Sequence, residues 1–103
     1  MAWLLIFAAA IAEVGMAAAL KASSGWTKPV PSTIGIALAL SSIFLLTKAL
    51  TALPTGPAYA AWTGLGAVGV VLVGSVFHGD ALSVANVGCI ALIVVGVIGL
   101  HVL

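Results

Sequence analysis

The chain has 103 residues, of which 64% are hydrophobic and 5% charged, with a formal net charge of +1. A soluble domain this apolar would aggregate, so composition excludes water as the solvent and leaves lipid. The near-neutral charge excludes a basic face for a nucleic-acid backbone, and a single cysteine, Cys89, excludes an internal disulfide or a cysteine metal cluster.

Each helical crossing of a bilayer takes about 20 apolar residues, so the length divides into four spans with short connections. The strict alternation of a barrel strand is absent, and long uninterrupted segments satisfy their own backbone as helices. Span one is expected over 3–20, ending at Lys21, whose stem can reach the headgroups. Its small residues at Met16-Ala17-Ala18-Ala19 resemble a leader's cleavage site. A basic n-region is missing, however, Glu13 interrupts the apolar stretch, and the stretch is too long, so the segment is expected to stay. A loop over 22–32 carries turn formers and two prolines. Span two is expected over 33–50, with Lys48 snorkelling near its end. After Leu53-Pro54-Thr55-Gly56-Pro57, span three covers 58–77, with Pro57 suited to a first helical turn. The loop His78-Gly79-Asp80-Ala81-Leu82 leads to Ser83, an N-cap for span four over 84–102. Trp3 and Trp26 read as interfacial anchors. The expected architecture is all-α, a single four-helix transmembrane domain.

Lys21 and Lys28 lie on one side of this arrangement, while Lys48 and the amino terminus approach the other, so the basic residues give almost no orientation bias. Such a chain can insert both ways, and two copies can then pair antiparallel, as inverted repeats do in larger transporters. Four helices are also too slim to enclose a substrate pathway, which calls for at least a dimer. Gly64, Gly66, Ala67 and Gly69 in span three, and Gly88, Gly96 and Gly99 in span four, permit close helix approach. Gly88, Leu92, Val95 and Gly99 form one stripe, a candidate dimer seam; glycines facing lipid are the competing reading.

Glu13 lies near the bilayer midplane, with Ala9, Ala10, Met16 and Ala17 on its own face. A carboxylate there is costly, and intramembrane acids by default mark ion or substrate pathways. Glu13 is therefore the candidate for binding a proton, with a cation able to take the proton's place. The bland alternative is a neutral glutamate that only joins helices, although no lysine or arginine lies at comparable depth. Tyr59 and Trp62 share a helix face continued by Gly66 and Gly69. Aromatic faces attract organic cations, and aromatic belts also sit at headgroup level; spacing leaves both readings open. Ser41, Ser42 and Thr63 can orient Glu13 or bond their own helix. His78, His101 and Asp80 show no metal-ligand spacing, and Cys89 reads as a small core residue. No nucleophile with its base and no nucleotide loop is present, so neither enzyme activity nor a cofactor is expected.

The residues Glu13-Val14, Leu20-Lys21, Gly25-Trp26-Thr27 and Pro31-Ser32, and above all the run from Leu53 to Gly66, resemble the small multidrug resistance transporters over the whole chain. The resemblance implies a multi-pass protein of the inner (plasma) membrane, working as a proton-coupled antiporter. It implies an antiparallel dimer with the substrate pathway between subunits, in which the span-one glutamates bind either protons or one cation. Glu13 takes that glutamate's place, and Tyr59 and Trp62 match aromatic positions lining the site. Trp62-Thr63-Gly64-Leu65-Gly66-Ala67 and Ser42 are similar to the guanidinium-exporting branch, whereas Met16 stands where that branch has tryptophan. Ala39 stands where the branch exporting quaternary ammonium compounds usually has tyrosine. Because some members pair two related chains, the partner is a second copy or a related subunit. Two other readings are a proton-conducting ring subunit, whose acid usually lies in the second of two helices, and a structural membrane subunit in which Glu13 only pairs with a partner helix.

Overall fold

The computed structural model describes residues 2–103, with four α-helices in chain order: α1 Ala2–Ala22, α2 Pro29–Ala49, α3 Thr55–Phe77 and α4 Val84–Val102. They have 19 to 23 residues each and mean hydropathies of 1.8 to 2.2. At 1.5 Å per residue these lengths match a hydrocarbon core about 30 Å thick. Helices satisfy their own backbone, as lipid requires of an isolated span.

α4 has the expected bounds, whereas α2 and α3 begin before the expected spans for identifiable reasons. α2 begins at Pro29 rather than at residue 33, because the first turn of a helix needs no amide hydrogens from Pro29 or Pro31. Lys28, at the N-cap, takes the extended conformation (φ −105°, ψ 117°) that a residue before proline prefers. α3 likewise starts at Thr55, with Pro57 inside its first turn. Ser83 caps α4 by accepting a hydrogen bond from the Asn86 amide at 3.1 Å.

The α1–α2 turn is built around one buried hydroxyl. Ser23 Oγ donates to the Leu20 carbonyl (2.6 Å) and accepts from the Trp26 amide (3.2 Å). Its carbonyl receives the amides of Thr27 and Lys28. These bonds hold Ser24, Gly25 and Trp26 at φ of 50°, 72° and 72°, a left-handed run that is unusual for a residue as bulky as tryptophan. The Trp26 indole remains exposed at this end of the bundle. At the other turn, Gly79 (φ 70°) reverses the chain so that the amides of His78 and Asp80 both reach the Gly74 carbonyl.

The described chain is a flat assembly measuring 42 × 34 × 17 Å. α1 occupies its centre, packing on both α2 and α3, while α4 leans on α3. Its core gathers Ile6, Leu46, Ala49, Ala58 and Ala61, with Trp3 and Trp62 against it. Alanines at 0% exposure allow the backbones to approach, as membrane helices require in place of a hydrophobic drive. Trp3 also meets His101 edge to face, with ring centroids 4.9 Å apart.

Cys89 departs from expectation. It is exposed rather than a core residue, because α4 packs mainly on α3, meets α1 only at its end, and has no buried residue among those described. The glycines of α4 share this setting: a side-chain carbon placed on Gly88, Gly96 or Gly99 would meet nothing within 4 Å.

Because Ala61 is fully buried in the core, Ala61→Leu is expected to lower stability by about 1–3 kcal/mol through overpacking. The denaturation midpoint of the detergent-solubilised variant measures it; an unchanged midpoint would contradict this packing.

Candidate functional site

Glu13 sits near the middle of α1, and α3 makes room for it. A side-chain carbon placed on Gly66 would lie 2.5 Å from both the Glu13 carboxyl carbon and Oε1, and 2.7 Å from Oε2. Only glycine leaves space for this approach. Oε2 is buried and has no hydrogen-bond partner among the described residues. An acceptor withdrawn from water and left unbonded is costly, so the arrangement leaves the carboxyl ready to take a proton or a donor cation.

One turn before Gly66 on α3 stands Trp62. Its indole Nε1 donates to Ser42 Oγ at 2.9 Å, and that hydroxyl donates to the Ala9 carbonyl at 2.7 Å. A serine hydroxyl has one proton and two lone pairs, and here Ser42 uses the proton on α1 and a lone pair on α3. Ala9 in turn lies one turn before Glu13. A circuit thus closes through three helices: Glu13 rests on Gly66, Trp62 is fixed by Ser42, and Ser42 is tied to the backbone beneath Glu13. Ser42 is 1% exposed, so the tie is dry. Tyr59 meets Trp62 edge to face, with ring centroids 5.3 Å apart at 64°.

The other sequence candidates fall in different places. Ser41 bonds its own helix at the Ala37 carbonyl (2.9 Å) and takes no part in the circuit. Thr63 faces a groove of about 710 Å³ between α3 and α4, which Tyr59, Gly64, Ile93 and Gly96 also line. Met16 and Ala39 are half-buried on α1 and α2, outside the circuit. Lys21, His78 and Asp80 share a small pocket at the end of the α1–α3 seam. Among the described residues no group of His, Cys, Asp or Glu could hold a metal. The Ala9 carbonyl escapes sequence reasoning, since a backbone acceptor carries no residue-type signal.

Known proteins resemble this chain over nearly its whole length. The family described as Small Multidrug Resistance protein matches residues 1–93. A guanidinium exporter of Yersinia pestis is 43% identical over 100 residues, covering 97% of this chain and 96% of that protein. One from Salmonella typhimurium is 43% identical (97% and 95% covered), and one from Proteus vulgaris 39% (97% and 96%). The chain belongs to the small multidrug resistance family. As a member of this transporter family with four membrane-length helices, it is a multi-pass protein of the inner membrane.

In this small multidrug resistance chain the hydroxyl of Ser42 is the one link the circuit cannot replace. Ser42→Ala leaves the Trp62 indole N–H without its acceptor, and is expected to cost about 1–3 kcal/mol. Ser42→Thr, which keeps the hydroxyl, is expected to lose less. Denaturation midpoints of the two variants in detergent decide it; equal losses would mean that the hydroxyl carries no weight.

Proposed function

We propose that the chain exports small guanidinium-type cations in exchange for protons, with Glu13 as the shared binding group. The observation that carries this reading is the Glu13 carboxyl, seated on Gly66 with Oε2 buried and unbonded, one helical turn along α3 from an indole held by Ser42. A carboxyl that has accepted a proton has no charge left to hold a cation, so the two ligands exclude each other. A gradient of one then drives movement of the other through two alternating states.

Guanidinium is planar and presents paired N–H donors that match the two oxygens of a carboxylate. Its face also stacks on aromatic rings, the role assigned to Trp62 and Tyr59. The guanidinium exporters among the relatives support this substrate class over bulkier quaternary ammonium compounds. Gly66 gives the carboxyl room, with Thr63, Met16 and Ala39 as further lining.

The working unit is a dimer, a second copy or a related subunit set antiparallel, with the pathway between the two chains. Two features support this: the 17 Å thickness of one chain, too slim to surround a cation, and the unburied α4 with Gly88, Gly96 and Gly99 open along it. Two facing Glu13 carboxyls would titrate as a coupled pair.

In proteoliposomes with an imposed proton gradient, the wild-type chain is expected to move guanidinium, and Glu13→Gln to fall to the level of protein-free vesicles. Coupled transport that persists in the Gln variant would exclude the mechanism. Tetramethylammonium in place of guanidinium tests the substrate class, and its equal transport would remove the preference for a planar donor cation.

A further inference from the structure

The structure places two pockets in line along the α1–α3 seam. At the end of the bundle lies one of about 80 Å³, whose wall includes Ala17, Lys21, Gly74, His78 and Asp80. Nearer the middle lies one of about 190 Å³, lined by Phe7, Ala10, Ile11, Leu65, Val68 and Gly69. Among the described residues, Val14 alone lines both. Its Cγ2 methyl occupies the space where a side-chain carbon on Gly69 would stand. The seam is thus interrupted at one point, by the isopropyl group of Val14 wedged in a glycine notch.

The two pockets differ in chemistry. The end pocket has charged groups at its mouth: Lys21 is exposed in the last turn of α1. Asp80 is anchored by its amide to the Gly74 carbonyl (3.1 Å), with its carboxylate over Gly74. A volume of 80 Å³ with polar groups at one end accommodates water, whose share of liquid is about 30 Å³ per molecule. The inner pocket is walled by apolar side chains and glycine.

Glu13 and Val14 are neighbours on α1, and the residues beneath them, Gly66 and Gly69, are one turn apart on α3. The carboxyl and the wedge therefore sit in two notches of one register. A rotation of α1 that lifts Val14 from Gly69 also moves Glu13 on Gly66, because both side chains ride on one rigid helix.

We propose that Val14 is the gate of a hydrated route from the Lys21–Asp80 end of the bundle to the level of Glu13, closed by its seat on Gly69. The route serves hydrated protons and small cations, and it rests on the exchange function proposed above. The mechanical link between the wedge and the carboxyl lets ligand exchange at Glu13 and opening of the seam occur together, as coupled antiport requires.

The test is a double-mutant cycle read as proton leak, without guanidinium, in vesicles holding a pH-sensitive dye. Val14→Ala removes the wedge and is expected to raise the leak several-fold. Gly69→Ala pushes the wedge out of its notch and is expected to raise it as well. Combining the two restores a filled seam and is expected to return the leak toward wild type, a non-additivity that contacting residues show. Monodispersity of each variant in detergent establishes folding, and guanidinium binding followed by tryptophan fluorescence is expected to survive in Val14→Ala. A Val14→Ala leak equal to wild type, or a double variant leaking as the sum of the singles, would overturn the gate. Failure of wild-type guanidinium transport would instead count against the exchange function, since the leak measurement needs no substrate.

Discussion

A carboxyl within a membrane span must be neutralised, paired or wetted, and among the described residues Glu13 Oε2 is buried with no fixed partner. No lysine or arginine stands at its depth, and Gly66 takes away the side chain that would otherwise displace it. The helix carrying Glu13 also lies at the centre of the packing, since α1 makes extensive contact with both α2 and α3. Under the exchange proposed for Glu13, such a group is best held by rigid helix surfaces rather than by a fixed counter-ion, which would compete with its ligand.

The polar interior is correspondingly sparse. Ser23 and Ser42 are the buried polar residues of the described chain that lie at 1% exposure, and each satisfies its surroundings completely. Ser23 shapes the turn that brings α2 back along α1. Ser42 then uses that proximity to join α1 and α3 through a single oxygen. The remaining cohesion comes from close contact of small residues: Gly35 against Leu20, Gly69 against Val14, and Ala58 and Ala61 within the core. Such contacts let the helices pack closely, because glycine leaves room for a neighbouring side chain or backbone.

Much of this was legible in the residues. Apolar length predicts four helices, and the charge of Glu13 marks it as soon as its depth is known. The spacing of Tyr59, Trp62 and Gly66 puts them on one face. Ser42 could be assigned to the site or to its own helix, and the structure separates it from Ser41: the first crosses to Ala9, the second bonds back to Ala37. Cys89 was misplaced because hydrophobicity in lipid does not report burial; an apolar residue is as comfortable facing acyl chains as facing another helix. Helix ends were drawn too tightly for a related reason, since Pro29, Pro31 and Pro57 look like breakers until the first turn is seen to need no donors from them.

Sequence by itself determined the solvent and the number of crossings and singled out Glu13 as a charge that is costly in lipid, because these follow from composition and from the fixed thickness of a bilayer. Only the tertiary structure decided which glycine receives the carboxyl, which carbonyl takes the Ser42 proton and which methyl divides the α1–α3 seam. Those outcomes depend on the rotation of each helix about its own axis. In lipid that rotation is not set by an amphipathic pattern, since every face is apolar, and is settled instead by where small residues let two backbones meet.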